Sequence, residues 1–331
     1  MLRTYWHHTD HLAIAAPVTG PEGAAAAPIW HDLLNPTLEE DKSVERQLGI
    51  AIPTREEMED IELSARLYQE SGAEFMTMTA LTGLDGDDPV KTPVTFILKG
   101  SSLVTVRYAE PKPFDVFLSR AQRSNGGGIP CANGEMLMTG LIEALIDRLA
   151  DALERLGNEI DAVSREVFRS KVSNVTKKTQ DLRSLIERIG QKADFLTAIR
   201  ESLVSISRLV AYHSALESPD RRPSKEIRQR IKLLQRDAVS LGDHANFLSG
   251  KINFLLDATL GLINLEQNQI IKIFSVAAVV FLPPTLVASI YGMNFDFMPE
   301  LKWYVGYPFA ILLMVLSAVM PYLYFKRRGW L

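Results

Sequence analysis

The residues with the most specific chemistry lie near the C-terminus, where Tyr291-Gly292-Met293-Asn294 follows a long uncharged run. Gly292 allows a tight turn, and Asn294 then presents its amide oxygen at the end of the run. A ring of such amides accepts hydrogen bonds from the water shell of a cation without holding the ion too tightly for it to leave. A glycine and an asparagine are also common at the end of a helix, so the motif alone leaves both interpretations open.

Small and hydroxyl-bearing side chains recur through the same run at steps of three and four residues, which places them on one face of a helix. This set, called the span stripe below, consists of Asn268, Ile271, Ser275, Ala278, Leu282, Thr285 and Ser289. The span stripe holds no carboxylate, and magnesium gives up its waters reluctantly. A weakly polar path for a hydrated ion therefore suits magnesium better than a dehydrating site does. Close packing of small residues between membrane helices produces the same pattern.

Two uncharged runs, Ile273 to Ile290 and Trp303 to Phe325, are long enough for helices that cross a bilayer, which takes about 20 residues. We therefore predict membrane spans over 270–291 and 303–325, joined by a loop over 292–302. The basic residues Lys326-Arg327-Arg328 follow the second span, and Lys251 and Lys272 precede the first. The positive-inside rule then places both chain ends in the cytoplasm and the loop outside. The expected location is the inner (plasma) membrane of a bacterium.

The bulk composition excludes several other functions. The 331 residues carry a formal net charge of −4, and we expect no binding to nucleic acid, which usually requires a clustered basic surface. The single cysteine, Cys131, forms no disulfide within the chain. No phosphate-binding loop and no catalytic motif is present, so we expect neither an enzyme, nor transport driven by ATP, nor a bound cofactor.

The first part of the chain, 1–133, is predicted to be a mixed α+β domain. Strands are expected at 30–33, 74–81, 94–98 and 103–108, and a helix at 38–48. A second helix is predicted to start after Thr54, where Glu57 completes a capping box, and to continue through Tyr68. A histidine cluster near residue 8 matches no strong metal pattern, so we expect an exposed terminal strand there.

Long helices are predicted over 134–269. The last of them has a heptad seam, in which apolar side chains alternate at steps of three and four residues as in a coiled coil. The seam consists of Ile231, Leu234, Ala238, Leu241, Ala245, Leu248, Ile252 and Leu255. We predict one continuous helix of about sixty-five residues from Lys225 into the first span, roughly 100 Å long. Such a seam requires a partner, and other copies of the same chain are the expected one.

Several motifs together resemble the CorA magnesium transporters of the enterobacterial type. They are Tyr291-Gly292-Met293-Asn294, Met298-Pro299-Glu300-Leu301 between two C-terminal spans, and the basic end 326–331. The stretches 264–275, 30–33 and 55–62 are similar to other parts of that family. The resemblance covers the whole chain and is strongest from 251 to 331.

The resemblance implies a funnel-shaped homopentamer in the bilayer, in which five first spans line a pore for divalent cations. By position, Asn294 would form the selectivity ring, shaped by Gly292 and Met293, and Asn268 a second polar ring. Leu282 with Ile271 would form a hydrophobic gate. Asp296 and Glu300 would attract cations to the outer mouth.

Family members also sense cytoplasmic magnesium through carboxylates between subunits. The candidate positions are Asp85, Asp87, Asp88, Asp237 and Asp243, for which a solvated acidic face is an equally good interpretation. The implied function is uptake of magnesium, with cobalt and nickel as further permeant ions, down the electrochemical gradient. Two alternatives remain: a zinc or proton-coupled zinc transporter of the same fold, and a membrane-anchored coiled-coil scaffold.

Overall fold

The computed structural model describes residues 1–8, 11–14, 27–86, 88–123, 131–169, 175–216, 225–294 and 298–329. These residues form two compact units. The first unit contains 1–168 and 187–255, and the second contains 169–186 and 256–331. The sequence-based division at residues 133 and 269 stays a prediction.

The first unit contains a seven-stranded sheet in the order β2-β1-β3-β7-β6-β5-β4. The strands are β1 Leu2–His8, β2 His11–Ala13, β3 Trp30–Leu34, β4 Leu67–Glu70, β5 Ala73–Thr82, β6 Val90–Lys99 and β7 Ser102–Arg107. Only the β3–β7 pair is parallel among these strands. The predicted strands are thus confirmed, each with boundaries a few residues different. The terminal strand β1 pairs on both sides, with β2 and β3, so it is not an edge strand.

Short helices accompany the sheet: α1 Leu38–Leu48, α2 Arg55–Glu59, α3 Leu63–Arg66 and α4 Lys112–Ala121. The threonines Thr37 and Thr54 cap α1 and α2 in capping boxes with Glu40 and Glu57, as the spacing of Thr54 and Glu57 predicted. The helix predicted through Tyr68 is wrong as one continuous helix, because α2 ends at Glu59, the short helix α3 follows over Leu63–Arg66, and a strand begins at Leu67. Tyr68 lies in β4, where it pairs with Phe75 and stacks on its ring at 4.6 Å, and this packing outweighs helical spacing.

The parallel β3–β7 pair is fixed by a buried ion pair. Arg107 donates from Nε to Oδ1 of Asp32 at 2.9 Å and from Nη2 to Oδ2 at 2.7 Å. The Thr105 hydroxyl donates to Asp32 at 2.7 Å and accepts from the Trp30 indole at 3.0 Å. A buried charge left without a partner is costly, so a slip of one residue between these strands would break the whole set.

Both ends of the sheet are short strands, β2 with 3 residues and β4 with 4. Because β4 pairs only with Ala73 to Met76, the rest of that edge of β5 lies beyond it. There the Thr79 N–H donates to the Ser205 hydroxyl at 2.8 Å, and the Ser202 hydroxyl donates to the Thr79 carbonyl at 2.7 Å. Two serines of a helix thus occupy backbone groups that a neighbouring strand would otherwise use.

Three long helices follow: α5 Gly134–Arg169, α6 Val175–Ala215 and α7 Lys225–Tyr291. The prediction of one continuous helix from Lys225 into the first span is confirmed. In the first unit, His213 at the end of α6 lies between Glu74 and Glu135, at 2.9 and 3.3 Å. This histidine therefore joins α6 to β5 and α5.

The heptad seam of α7 is covered within the single chain, which corrects the prediction that other copies cover it. Ala238, Ala245 and Leu255 are at most 1% exposed, and Leu248 lies against Gly157 of α5. Arg230 pairs with Glu143, and Lys251 with Asp161, both on α5. The physical reason is that α5 has an apolar stripe of its own, and packing against it satisfies the seam without a second chain.

The second unit contains the C-terminal part of α7, a 3₁₀ turn Pro299–Lys302 and the helix α8 Gly306–Arg327. Both α7 and α8 have windows apolar enough to cross a membrane, with only 6% of each window buried. The two predicted spans therefore correspond to helices with largely exposed apolar surfaces. A soluble protein does not leave this much apolar helix uncovered.

Candidate functional site

The helix α7 ends at Tyr291, the first residue of the motif Tyr291-Gly292-Met293-Asn294. The Gly292 N–H donates to the Ala288 carbonyl at 2.9 Å, and the Met293 N–H to the Ile290 carbonyl at 3.3 Å. A Cβ on Gly292 would lie 3.1 Å from the Ala288 oxygen, so a larger residue would have to shift the last turn. Asn294 follows with an exposed side chain. The geometry thus presents one amide at the end of the helix, where the sequence predicted it.

The span stripe lies on the exposed face of α7. Ile271 is 61% exposed and Leu282 is 65% exposed, and the five other members of the stripe are also exposed. Two residues further along the helix, or about 200° around its axis, most side chains are half-buried, although Ile273 is 48% exposed. The half-buried ones are Ile270, Ala277, Val280, Pro284, Val287 and Tyr291. The chain therefore covers the opposite face only in part and leaves the span stripe open.

The same exposed face continues upstream of Asn268. Asn264, Gly261 and Asp257 follow at steps of four, three and four residues, and all three are exposed. The predicted stripe begins at Asn268, and continuing the same steps upstream to Asp257 adds one carboxylate to this face of α7.

A pair of prolines interrupts the backbone of the first span. Pro283 and Pro284 have no N–H to donate to the carbonyls of Val279 and Val280. The Thr285 hydroxyl, a member of the span stripe, donates to the Phe281 carbonyl at 2.7 Å. This hydroxyl is therefore satisfied by its own helix, and its oxygen remains available to accept a hydrogen bond.

The two acids predicted in the outer loop, Asp296 and Glu300, have no described side chains. Asp296 lies outside the described residues, and Glu300 belongs to the 3₁₀ turn, with a side chain that is not described. The aromatic residues after this turn are highly exposed, with Tyr304 at 102% and Tyr307 at 79%. Aromatic rings in such a position are typical of the boundary between lipid and water.

The proposed regulatory carboxylates are scattered over the first unit. Asp85 accepts hydrogen bonds from Lys112 and Arg148, which lower the pKa of its carboxyl to about 2. Asp88 is exposed, and Asp237 and Asp243 are exposed on α7, whereas Asp87 lies outside the described residues. Among the described residues, no group of three or more acidic, histidine or cysteine side chains is arranged to hold a metal. A regulatory site built from these positions would thus need ligands from elsewhere.

One carboxylate that the sequence analysis missed is Asp147 of α5. Burial raises its pKa, and the negative charges of Glu143, Asp151 and Asp237 raise it further, against a lowering effect of Arg120. Glu143, Asp147 and Asp151 are four residues apart on α5, so their mutual repulsion is readable from the sequence. The smaller effect of Asp237 of α7 depends on how the two helices pack.

The sequence matches the family model described as "CorA-like Mg2+ transporter protein" over residues 25–327. Among curated proteins, the "Magnesium transport protein CorA" of Pectobacterium atrosepticum is 38% identical over 306 residues, which cover 92% of each chain. The protein of the same name from Escherichia coli K12 is 38% identical over 303 residues, again 92% of each chain.

Solved structures share the fold at low sequence identity. The complete structure of the CorA magnesium transporter from Methanocaldococcus jannaschii matches with a TM-score of 0.76 and 19% identity, covering 100% of this chain and 99% of that one. The cytoplasmic domain of ZntB from Vibrio parahaemolyticus matches with a TM-score of 0.56 and 10% identity, covering 80% of this chain and 98% of that one. At these identities the likeness concerns the fold alone.

Proposed function

This chain belongs to the family of CorA-like Mg²⁺ transporters, and from this premise we propose that it is the subunit of a homopentameric magnesium channel. The channel lies in the inner membrane of a bacterium, with both chain ends in the cytoplasm and the loop 292–302 outside. Cobalt and nickel are further permeant ions. The family comprises transporters and not enzymes, so no catalytic step is involved.

The observation that carries the proposal is the exposure of the span stripe. A single chain buries only 6% of the apolar window of α7, and all members of the stripe are exposed, although several of their side chains are apolar. Several copies arranged around an axis would turn these faces toward a common centre. The stripe then lines a path whose walls are small, apolar or hydroxyl-bearing, which suits an ion that keeps its water shell.

Members of the span stripe and residues of the loop that follows it have proposed roles along that path. Asn294, shaped by Gly292 and Met293, forms the outer amide ring that accepts hydrogen bonds from the hydrated ion. Asn268 forms a second polar ring, and Leu282 with Ile271 the apolar constriction between them. Asp296 and Glu300 concentrate cations at the outer mouth.

The membrane potential drives uptake. An inside-negative potential contributes about 2.3 kcal/mol per charge per 100 mV, and twice that for a divalent ion. We propose that cytoplasmic magnesium closes the channel by binding carboxylates between subunits, with Asp85, Asp87, Asp88, Asp237 and Asp243 as candidates. Bound cations would relieve the mutual repulsion of these acids and hold the subunits together.

The experiment that tests the channel is ion flux into proteoliposomes under an imposed inside-negative potential. Wild type is compared with Asn294→Ala and with Asn253→Ala, which removes an exposed amide of α7 outside the span stripe. We expect magnesium uptake in the wild type and in Asn253→Ala, and a loss of at least tenfold in Asn294→Ala.

Other outcomes select the alternatives. Zinc uptake driven by a pH gradient, with little magnesium flux, would assign the chain to zinc transport. No flux of any cation would favour a membrane scaffold. Equal flux in Asn294→Ala and wild type would remove the amide from the filter while leaving the transport function in place.

A further inference from the structure

A groove of about 600 Å³ lies in the first unit where β4 ends and the edge of β5 is met by α6. We call it the α6–β5 groove. Its floor includes Thr77 and Thr79 of β5, and its walls come from α6 and from the segment around α3. This volume lies within the range of pockets that hold small organic ligands, about 300–1,000 Å³.

The groove is held open by fixed contacts. Ser202 and Ser205 anchor α6 to the backbone of Thr79. Opposite them, the Arg66 guanidinium donates to the Asp60 carbonyl and, at 3.2 Å, to the Thr79 hydroxyl. The walls are thus fastened to the same residue of the sheet, and a ligand would enter a preformed site.

The charges that line the groove do not balance. Its two carboxylates are already paired, Glu59 with Arg55 and Glu201 with Lys91. Three guanidinium groups remain, those of Arg66, Arg200 and Arg208. Within the described part of the chain, Arg66 bonds only to uncharged oxygens, and Arg200 and Arg208 have no hydrogen bond or ion pair.

The unpaired arginines of α6 contrast with other basic residues of that helix. Arg188 pairs with Glu166 and Lys192 with Glu159. Arg200 and Arg208 are eight residues apart on one ridge, which separates their Cα atoms by about 12 Å along the helix. Val204, 42% exposed, lies between them, so an apolar surface separates the two positive charges.

We propose that the α6–β5 groove binds a nucleoside polyphosphate. Three guanidinium groups match the charge of a polyphosphate, and a guanidinium binds phosphate oxygens through paired N–H groups. The exposed apolar side chains of Val204 and Ile61, the latter 91% exposed, offer a surface for the base. Inorganic phosphate would fill only a small part of the volume.

The test is calorimetric titration of ATP into the purified full-length chain in detergent, in buffer that contains EDTA and no magnesium. Arg200→Ala/Arg208→Ala removes the two exposed arginines, and Arg66→Ala removes the third. The matched control, Arg46→Ala/Arg236→Ala, removes two exposed arginines that do not line the groove.

We expect saturable binding of ATP by the wild type and the control, and affinity at least tenfold weaker in Arg200→Ala/Arg208→Ala and in Arg66→Ala. The loss is expected because each guanidinium forms charge-assisted hydrogen bonds, which are stronger than neutral ones. Tripolyphosphate should bind more weakly than ATP, and adenosine not measurably. Saturating magnesium should weaken binding, because it neutralises the phosphates.

No saturable heat with millimolar ATP would overturn the proposal, and so would equal weakening in the control. Loss of binding in Arg200→Ala/Arg208→Ala but not in Arg66→Ala would overturn it too, because these two arginines also line a second groove between α6 and α7. Equal affinity for tripolyphosphate and ATP would exclude recognition of the base. Since the groove lies wholly in the first unit, none of these results bears on the transport proposal.

Discussion

Two faces of α7 have the same heptad spacing, and they differ in what covers them. From Lys225 to Leu255, the apolar residues at heptad positions form a seam that is buried against α5 and α6 of the same chain. From Leu256 to Tyr291, the heptad stripe is exposed, and the residues half-buried by the chain lie on the other side of the helix. Thr259, Glu266 and Val276, which are buried beyond Leu255, continue the register of the seam, so α7 buries one face in both parts and the span stripe lies on another face.

This difference teaches that a heptad pattern identifies a face of a helix and not its partner. In the first part, a single chain is enough to bury the seam. In the second part, the uncovered stripe requires either lipid or other copies, and its polar members Asn268, Ser275 and Ser289 favour other copies around water. The comparison can be tested by substitutions in each part.

The largest effect on stability is expected in the buried part. Leu248→Ala should lower the free energy of unfolding by about 2–5 kcal/mol, because it leaves a cavity against Gly157. The neighbouring Phe247→Ala, at a residue 66% exposed, should change it by less than about 0.5 kcal/mol. Thermal unfolding of the full chain in detergent measures both. A loss from Phe247→Ala as large as that from Leu248→Ala would mean that another copy covers this face as well.

An intermediate effect, on flux and not on stability, is expected in the exposed part. Leu282→Ala should increase magnesium leak at high internal magnesium several-fold. The smaller side chain leaves the constriction too wide to exclude water. Met320→Ala, which truncates a 73% exposed residue of α8, serves as the control and should leave flux unchanged. Proteoliposome flux with magnesium preloaded inside measures the difference. An unchanged leak in Leu282→Ala would remove this residue from the gate.

The smallest effect concerns the burial of Asp147 on α5 and the acidic side chains around it. The pKa of Asp147 is raised in the folded chain, so the folded state binds its proton more tightly than the unfolded state does. This group therefore makes stability fall as pH rises from its unfolded pKa, about 3.9, through its raised folded pKa. At neutral pH, Asp147→Asn should raise stability by less than about 1 kcal/mol.

Melting curves of the full chain between pH 4 and pH 8 check this prediction. The gain from Asp147→Asn should shrink as the pH falls, because protonation of Asp147 relieves the same repulsion. Glu154→Gln, an exposed position of α5, should change the melting temperature little at any pH. A gain in Asp147→Asn that does not depend on pH would point to packing and not to charge.

Much of the fold follows from local signals in the sequence. Uncharged runs, capping boxes and alternating apolar residues were enough to predict both spans, α1 and the central strands. The helix α4 was missed, because Pro111 and Pro113 obscured its start. The segment after Glu59 was assigned to a helix, since Met58, Ile61 and Ala65 have helical spacing, yet Ile61 is 91% exposed and the chain turns into β4.

The candidate site was predictable only in part. The spacing of the span stripe and the end of α7 at Gly292 depend on one chain and were found from sequence. The effect of Asp237 on the pKa of Asp147 depends on helix packing, and the three arginines without an ion pair in the α6–β5 groove depend on which carboxylates are already paired. Neither kind of information is carried by the spacing of residues along one helix.

The two short edge strands and the serine caps on Thr79 have a consequence for how copies of this chain assemble. A long open edge would let one copy add its strand to the sheet of the next, which leads to uncontrolled aggregation. Here β2 and β4 offer only a few backbone groups, and Ser202 and Ser205 occupy those of Thr79. In the proposed homopentamer, copies of the chain would therefore recognise one another through side chains and not by adding strands, which would let the assembly close and stop.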